Sequence, residues 1–331
     1  MILDALQGRN FQGRPPIWLM RQAGRYLPEY RKIRANYPLL EMFHKPDVIR
    51  EVTMQPMRRF GLDAAILFSD ILTVLDGLGV PYDFHEKRGP QISFTKFSPT
   101  PAYDHVKEAI YQLKQELDVP LLGFSGGPFT VLSYIIEGET SRQFQKIKKL
   151  MIQEPQKFDE LLDQVMQETI RYLELQIEAG VDAVQIFESW AHALPPFYLE
   201  KYVVQPLKKI VQSLRIPTLL FCRGPALPQV GATALSVDWN GDIVALRKSL
   251  GPTIALQGNL DPMILYGSKE VIRYHVNELL GKMGQDPGYI FNLGHGVLPD
   301  TPVENVHYLV ELVQSKISQT RTPLHELSHS P

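Results

Sequence analysis

The chain has 331 residues, and its 34 lysines and arginines nearly balance 36 aspartates and glutamates, for a formal net charge of -2. That balance argues against a nucleic-acid partner, which calls for a domain-scale basic face. The single cysteine, Cys222, excludes an internal disulfide and a multi-cysteine zinc site and fits a reducing compartment. The opening Met1-Ile2-Leu3-Asp4-Ala5-Leu6 has neither a basic start nor a long apolar core, so no signal peptide is expected. No apolar run approaches the ~20 residues a membrane helix needs. The expected setting is the cytoplasm, with no membrane partner.

Short apolar runs recur along the chain, each ending at a glycine, a charge or a small polar residue. They begin with Ile17 to Met20, Ala64 to Phe68, Leu121 to Phe124 and Ala183 to Phe187. Thr218 to Phe221, Ala234 to Val237, Ile254 to Leu256 and Tyr289 to Leu293 follow. Between most of them lies a helical period. Val106, Ile110, Leu113 and Leu117 share one face, as do Phe158, Leu161, Leu162, Val165, Thr169, Tyr172, Leu173 and Ile177, with Gly180 as the stop. Val303, Val306, Leu309, Val310, Val313 and Ile317 stripe the last helix. About eight strand-helix units predict a closed (β/α)8 barrel, a TIM barrel, as one domain over 1–317, with a loose polar tail over 318–331. The connections Arg21 to Arg59 and Ile71 to Pro101 are long, and are expected to roof the mouth.

A doubly wound sheet is the alternative, but its nucleotide loops are missing. Gly77-Leu78-Gly79 lacks the third glycine, where Tyr82 stands, and Ser125-Gly126-Gly127-Pro128 is not followed by Gly-Lys-Ser/Thr. A Ser-His-Asp hydrolase built on Ser125 or Ser189 with His295 is a lesser alternative. Glu188 and His192, with Cys222 and His295 conceivably nearby, have no recognised zinc spacing, so no metal is expected.

In such a barrel, chemistry collects where the strands end. The residues just past the runs include Arg21, Ser69-Asp70, Glu188-Ser189, Arg223, Asp238 and His295. From Arg9 to Arg34 the basic residues are Arg9, Arg14, Arg21, Arg25, Arg31, Lys32 and Arg34, against Glu29 alone. Such a local positive field suits a polyanionic small molecule, although a solvated loop of salt bridges has the same composition. Asp70 sits among apolar residues, where a carboxylate needs donors: a ligand's N–H groups, a helix start or an arginine. His295, between Gly294 and Gly296, stands where backbone can approach a ligand, or is a structural turn. Tyr134 alone reads as a core tyrosine.

The segment Pro16-Ile17-Trp18-Leu19-Met20-Arg21-Gln22-Ala23-Gly24-Arg25-Tyr26-Leu27-Pro28-Glu29-Tyr30 closely resembles the N-terminal signature of the uroporphyrinogen decarboxylase family. Leu67 to Leu72, Gly126 to Thr130, Tyr134 to Gly138, Phe187 to Trp190, Gln257 to Pro262 and Asn292 to Pro302 match further segments in the same order. The resemblance implies a (β/α)8 barrel, commonly a homodimer, that removes carbon dioxide from four acetate arms of uroporphyrinogen to leave coproporphyrinogen, without metal or organic cofactor. It places the family's substrate arginines on Arg21, Arg25 and Arg34, its aspartate on Asp70, its tyrosine on Tyr134, its serine on Ser189 and its histidine on His295. Phe187 falls beside the substrate. By the same resemblance Gly127, Phe129, His192 and Cys222-Arg223 are departures, expected to alter pocket shape or loop rigidity. The nearest rival is a methyltransferase of the same superfamily, which needs a zinc site with cysteine ligands; a carrier that keeps the pocket without turnover is the non-catalytic rival.

Overall fold

The computed structural model describes residues 1–85, 88–224 and 229–315. Nine strands follow in chain order: β1 (Ala65–Ile66), β2 (Tyr82–His85), β3 (Gly89–Ile92), β4 (Leu121–Gly126), β5 (Ala183–Glu188), β6 (Thr218–Cys222), β7 (Ala234–Ser236), β8 (Ala255–Gln257) and β9 (Tyr289–Ile290). β2 and β3 form a separate antiparallel hairpin, and the other seven make one parallel sheet in the order β1-β4-β5-β6-β7-β8-β9.

The first apolar run occupies the eighth place in the ring. On one side Ile17 bridges Phe291 in parallel, Phe291 N donates to Pro16 O at 2.9 Å and Val297 N donates to Met20 O at 2.9 Å. On the other side the closure borrows side chains. Asp63 N donates to Ile17 O at 2.9 Å while Ile17 N donates to Asp63 Oδ2 at 2.8 Å. Gln22 Oε1 accepts from Leu19 N, and its Nε2 donates to Ala64 O. The expected eight-membered ring is therefore present, with one member held to β1 through Asp63 and Gln22.

Side chains alternate along every strand. Trp18, Met20, Leu122, Ala183, Leu219, Phe221, Ala234, Ala255 and Ile290 form an inner cluster with Ile2, Ala5 and Leu6 of the helix Ile2–Leu6. Ile17, Leu19, Leu121, Val184, Ile186, Leu220, Leu235, Leu256 and Tyr289 belong instead to the larger cluster shared with the helices. Each such buried aliphatic side chain contributes roughly 1.5–3 kcal/mol. Across the inside runs a polar layer. Trp18 Nε1 donates to Gln257 Oε1 at 2.7 Å, and Gln257 Nε2 donates to Ser236 Oγ at 2.8 Å and Gln185 Oε1 at 3.2 Å.

The periodic helices stand as Asp104–Glu116, Pro155–Ala179 and Val303–Gln314. Gly180 closes the second at φ 115, a left-handed turn that only glycine enters cheaply. Ile317 and the tail 318–331 lie outside the described residues. Both long connections hold more order than expected. Arg21 to Arg59 contains the mouth helices Pro28–Arg34 and Leu39–Phe43, and then the barrel helix Pro46–Phe60. Pro56 disguises that last helix: it removes one rung, yet Val48, Val52 and Phe60 stay buried on a continuous face. Ile71 to Pro101 carries the helix Val74–Leu78 and the β2-β3 hairpin.

Candidate active site

A cavity of about 510 Å³ opens at the carboxyl ends of the strands, and Arg21, Arg25, Arg34, Asp70, Tyr134, Phe187, Ser189 and His295 all line it. The basic run divides in space. Arg14 is spent on the fold, in a two-pronged pair with Asp63 at 2.7 and 2.9 Å. Arg31 donates to the carbonyls of Arg25 and Tyr26, and Glu29 pairs with Arg59. Arg34 Nη1 donates to Tyr37 O at 2.9 Å.

Arg21 is the first residue past the ring-closing segment and has φ 58, unusual for a residue with a side chain. Its stem crosses Gly296, where an added Cβ would lie 2.4 Å from Arg21 Cδ. Gly294 is equally crowded, with Trp239 N at 2.2 Å from such a carbon. The two bare glycines beside His295 make room for Arg21 and Trp239, and Gly296 also lines the cavity. His295 rests edge-on to Phe221 and Trp239, with ring centroids at 6.2 and 5.6 Å. Burial first, and then the charges of Arg21 and Arg223, push its imidazolium down to about 4, so the ring is neutral near pH 7.

Asp70 follows β1 on a tight turn. Its Oδ1 accepts from Leu72 N at 2.9 Å, and its carbonyl accepts from Thr73 N at 3.1 Å. Among the described residues no ion pair holds it, although Arg21 lies close enough for its charge to be felt. Burial raises the carboxyl above the ordinary aspartate range, while the Leu72 N–H and Arg21 pull it back. Tyr134 comes from the helix Pro128–Glu137, and burial together with Asp70 keeps its phenol protonated.

Phe187 faces inward from β5, edge-on to Phe124 of β4 at 5.6 Å and tilted against Phe221 of β6 at 6.0 Å. Phe124 and Phe221 line the cavity too and were not singled out from sequence. Their signal was strand parity: each faces inward near the end of its strand, as Phe187 does. Ser189 follows Glu188, whose own carboxylate turns away and accepts from Phe129 N at 3.1 Å, Thr130 N at 2.8 Å and Thr130 Oγ1.

None of the departures lines the cavity. Phe129 is fully buried, and an added Cβ on Gly127 would come within 2.4 Å of Glu188 Oε2. Cys222 is buried on the outer face of β6, opposite in parity to Phe221, with its thiol pushed well up by burial. It does not join His295, and Glu188 does not join His192, which is bonded through Nδ1 to the carbonyl of Ser189.

An arginine-lined mouth over an aromatic floor, at the strand ends of a closed parallel barrel, is the architecture of a (β/α)8-barrel enzyme. The family model described as uroporphyrinogen decarboxylase (URO-D) matches residues 1–316. A uroporphyrinogen decarboxylase from Protochlamydia amoebophila is 45% identical over 95% of this chain and 91% of its own length. Those from Carboxydothermus hydrogenoformans and Thermus thermophilus are 44% and 42% identical over 90% and 95% of this chain, and 91% and 97% of their own lengths. The chain belongs to the uroporphyrinogen decarboxylase family, and is a carboxy-lyase. A solved methyltransferase from Methanosarcina mazei shares the fold, with a TM-score of 0.78 at 22% identity over 94% of this chain and 96% of that one. Among the described residues no helix is long and apolar enough to cross a membrane.

Proposed function

We propose that this cavity decarboxylates the acetate arms of uroporphyrinogen, with Asp70 as the fixed anion beneath the macrocycle and Arg21, Arg25 and Arg34 as the grips on its carboxylates. The difficulty in losing carbon dioxide is the electron pair left behind. Enzymes often bring pyridoxal or thiamine to accept it. A pyrrole serves as its own sink. A proton adds to a ring carbon, and the cationic ring draws in the electrons of the breaking C–C bond as carbon dioxide leaves. The methylene carbon then takes a proton and the ring carbon returns one, so each cycle consumes one proton and leaves a methyl group.

The observation that carries this reading is Asp70: a half-buried carboxylate facing the cavity with one backbone donor and, among the described residues, no guanidinium locked onto it. Converging pyrrole N–H groups supply the missing donors, and the fixed negative charge favours the cationic ring. Substrate N–H groups also offset the burial that raises Asp70, which holds it ionised during turnover.

Arg21 lies closest in charge to Asp70 and His295, and so holds the reacting acetate. A guanidinium is a poor acid, so the proton comes from water ordered by Tyr134 and the neutral His295, with Ser189 a hydrogen-bonding wall. Phe124, Phe187 and Phe221 keep the floor dry, which strengthens every charge interaction above it. The buried, outward-facing Cys222 speaks against the thiol-ligated zinc chemistry of the methyltransferase rival. The reading includes a cytoplasmic homodimer, checked by sedimentation. Incubation with uroporphyrinogen should release a ladder of products with seven, six, five and four carboxylates. Failure of Asp70→Asn to slow that ladder overturns the assignment.

A further inference from the structure

We propose that His44, Asp76 and His105 form a binding site for a divalent transition-metal ion, zinc foremost, on the flank of the barrel mouth. The three come from separate elements: the residue after the helix Leu39–Phe43, the helix Val74–Leu78 and the helix Asp104–Glu116. Their ligand atoms all lie within 4.8 Å of one another, and this is the one such trio of histidine, cysteine and carboxylate groups among the described residues. His44 Nε2 is 2.9 Å from Asp76 Oδ2, and the two imidazoles meet edge-to-face with centroids 4.8 Å apart.

An ion pair between His44 and Asp76 accounts for two of these groups and leaves the third unexplained. His105 Nε2 is buried without any hydrogen-bond partner. Buried ring nitrogens are ordinarily satisfied, so an orphan beside a carboxylate and a second imidazole points to an occupant. Tyr82 Oη, from β2, faces Asp76 and donates toward its carboxylate. Two imidazoles and one carboxylate are a borderline-soft donor set that suits zinc rather than magnesium or calcium. Zinc ligand atoms sit about 2.0–2.2 Å from the ion, so the longer spacings in the trio need to draw in by roughly an ångström while the His44–Asp76 pair opens slightly, leaving a fourth position for water.

None of the three residues lines the cavity, but Leu39 and Phe43 of the helix before His44 do. The ion therefore ties one wall of the mouth to a barrel helix and takes no part in the reaction.

The test is a zinc titration of the chelator-treated full chain by calorimetry, with cobalt(II) as the spectroscopic probe. The expected result is one zinc per chain, no response to magnesium at the same concentration, and a visible cobalt band. Asp76→Asn and His105→Ala should each weaken zinc about 100-fold or more and abolish that band. Asp76→Asn keeps the shape of the side chain, so it decides the matter should His105→Ala fail to fold. Absence of stoichiometric zinc binding overturns the site and leaves an ion pair beside a buried water. So does an affinity unchanged in Asp76→Asn, which would place the metal on surface histidines.

Discussion

Of the carboxylates at strand ends of this barrel, Asp70 after β1 and Glu188 closing β5 are both pushed upward by burial. Glu188 is fully partnered: three donors at the start of the helix Pro128–Glu137 converge on it, where the helix dipole also favours a negative charge. It pins the helix that carries Tyr134 to the strand that carries Phe187, and Gly127 is bare because Glu188 Oε2 occupies the space of a side chain. Asp70 has one donor and an open cavity before it. A carboxylate with its donors supplied by the protein holds structure; on the function proposed above, the one left short of donors takes them from the substrate.

The comparison breaks most visibly at Asp70. Asp70→Asn retains an oxygen for the Leu72 N–H but no charge, and should lower kcat by about 10²–10³, or ~3–4 kcal/mol, with the fold intact by circular dichroism. Single-turnover decarboxylation measures it, and near-normal turnover would dissolve the contrast. Next in size, Arg21→Lys keeps a cation without the planar fork. It should cost roughly tenfold to a hundredfold in kcat/KM, with Arg25→Gln and Arg34→Gln acting mainly on KM and on its salt dependence.

Glu188 sharpens the other side. Its folded carboxyl is pushed up to about 7, above its unfolded value, so its contribution to stability is fully present below about pH 4.5. That contribution, on the order of 3 kcal/mol, is lost as pH rises through about 7. Glu188→Gln has no charge to desolvate, but it turns an amide N–H₂ toward a buried donor, at a cost of ~1–3 kcal/mol. Urea midpoints should therefore fall more steeply between about pH 4.5 and pH 7 in the natural protein than in the variant. Parallel slopes would show that Glu188 is no more burdened than an exposed glutamate.

The smallest effect is expected at His295. With its pKa pushed down to about 4, the ring is neutral over the working range. The pH profile of kcat between about pH 5 and pH 8 should keep its shape in His295→Asn, with a loss of only a few-fold. A limb that vanishes in the variant would make the histidine the proton donor after all.

Much of the barrel was legible from residue order alone. Each apolar run ends abruptly, and in a parallel barrel those ends meet on one face, so Arg21, Asp70, Ser189 and His295 were brought into one cavity by topology. What stayed hidden depends on partners far along the chain. Arg14 and Arg21 look alike in sequence, yet Asp63 claims the first, while the left-handed backbone at Arg21 and the bare Gly296 send the second to the cavity. Phe221 and Cys222 are neighbours, but the inward or outward parity of β6 is set by its pairing with β5 and β7. Local sequence determines periodicity and where a run stops, because those follow from the geometry of a few adjacent residues. Which acid receives its donors, and which is left to wait for them, is decided only when distant segments close the ring.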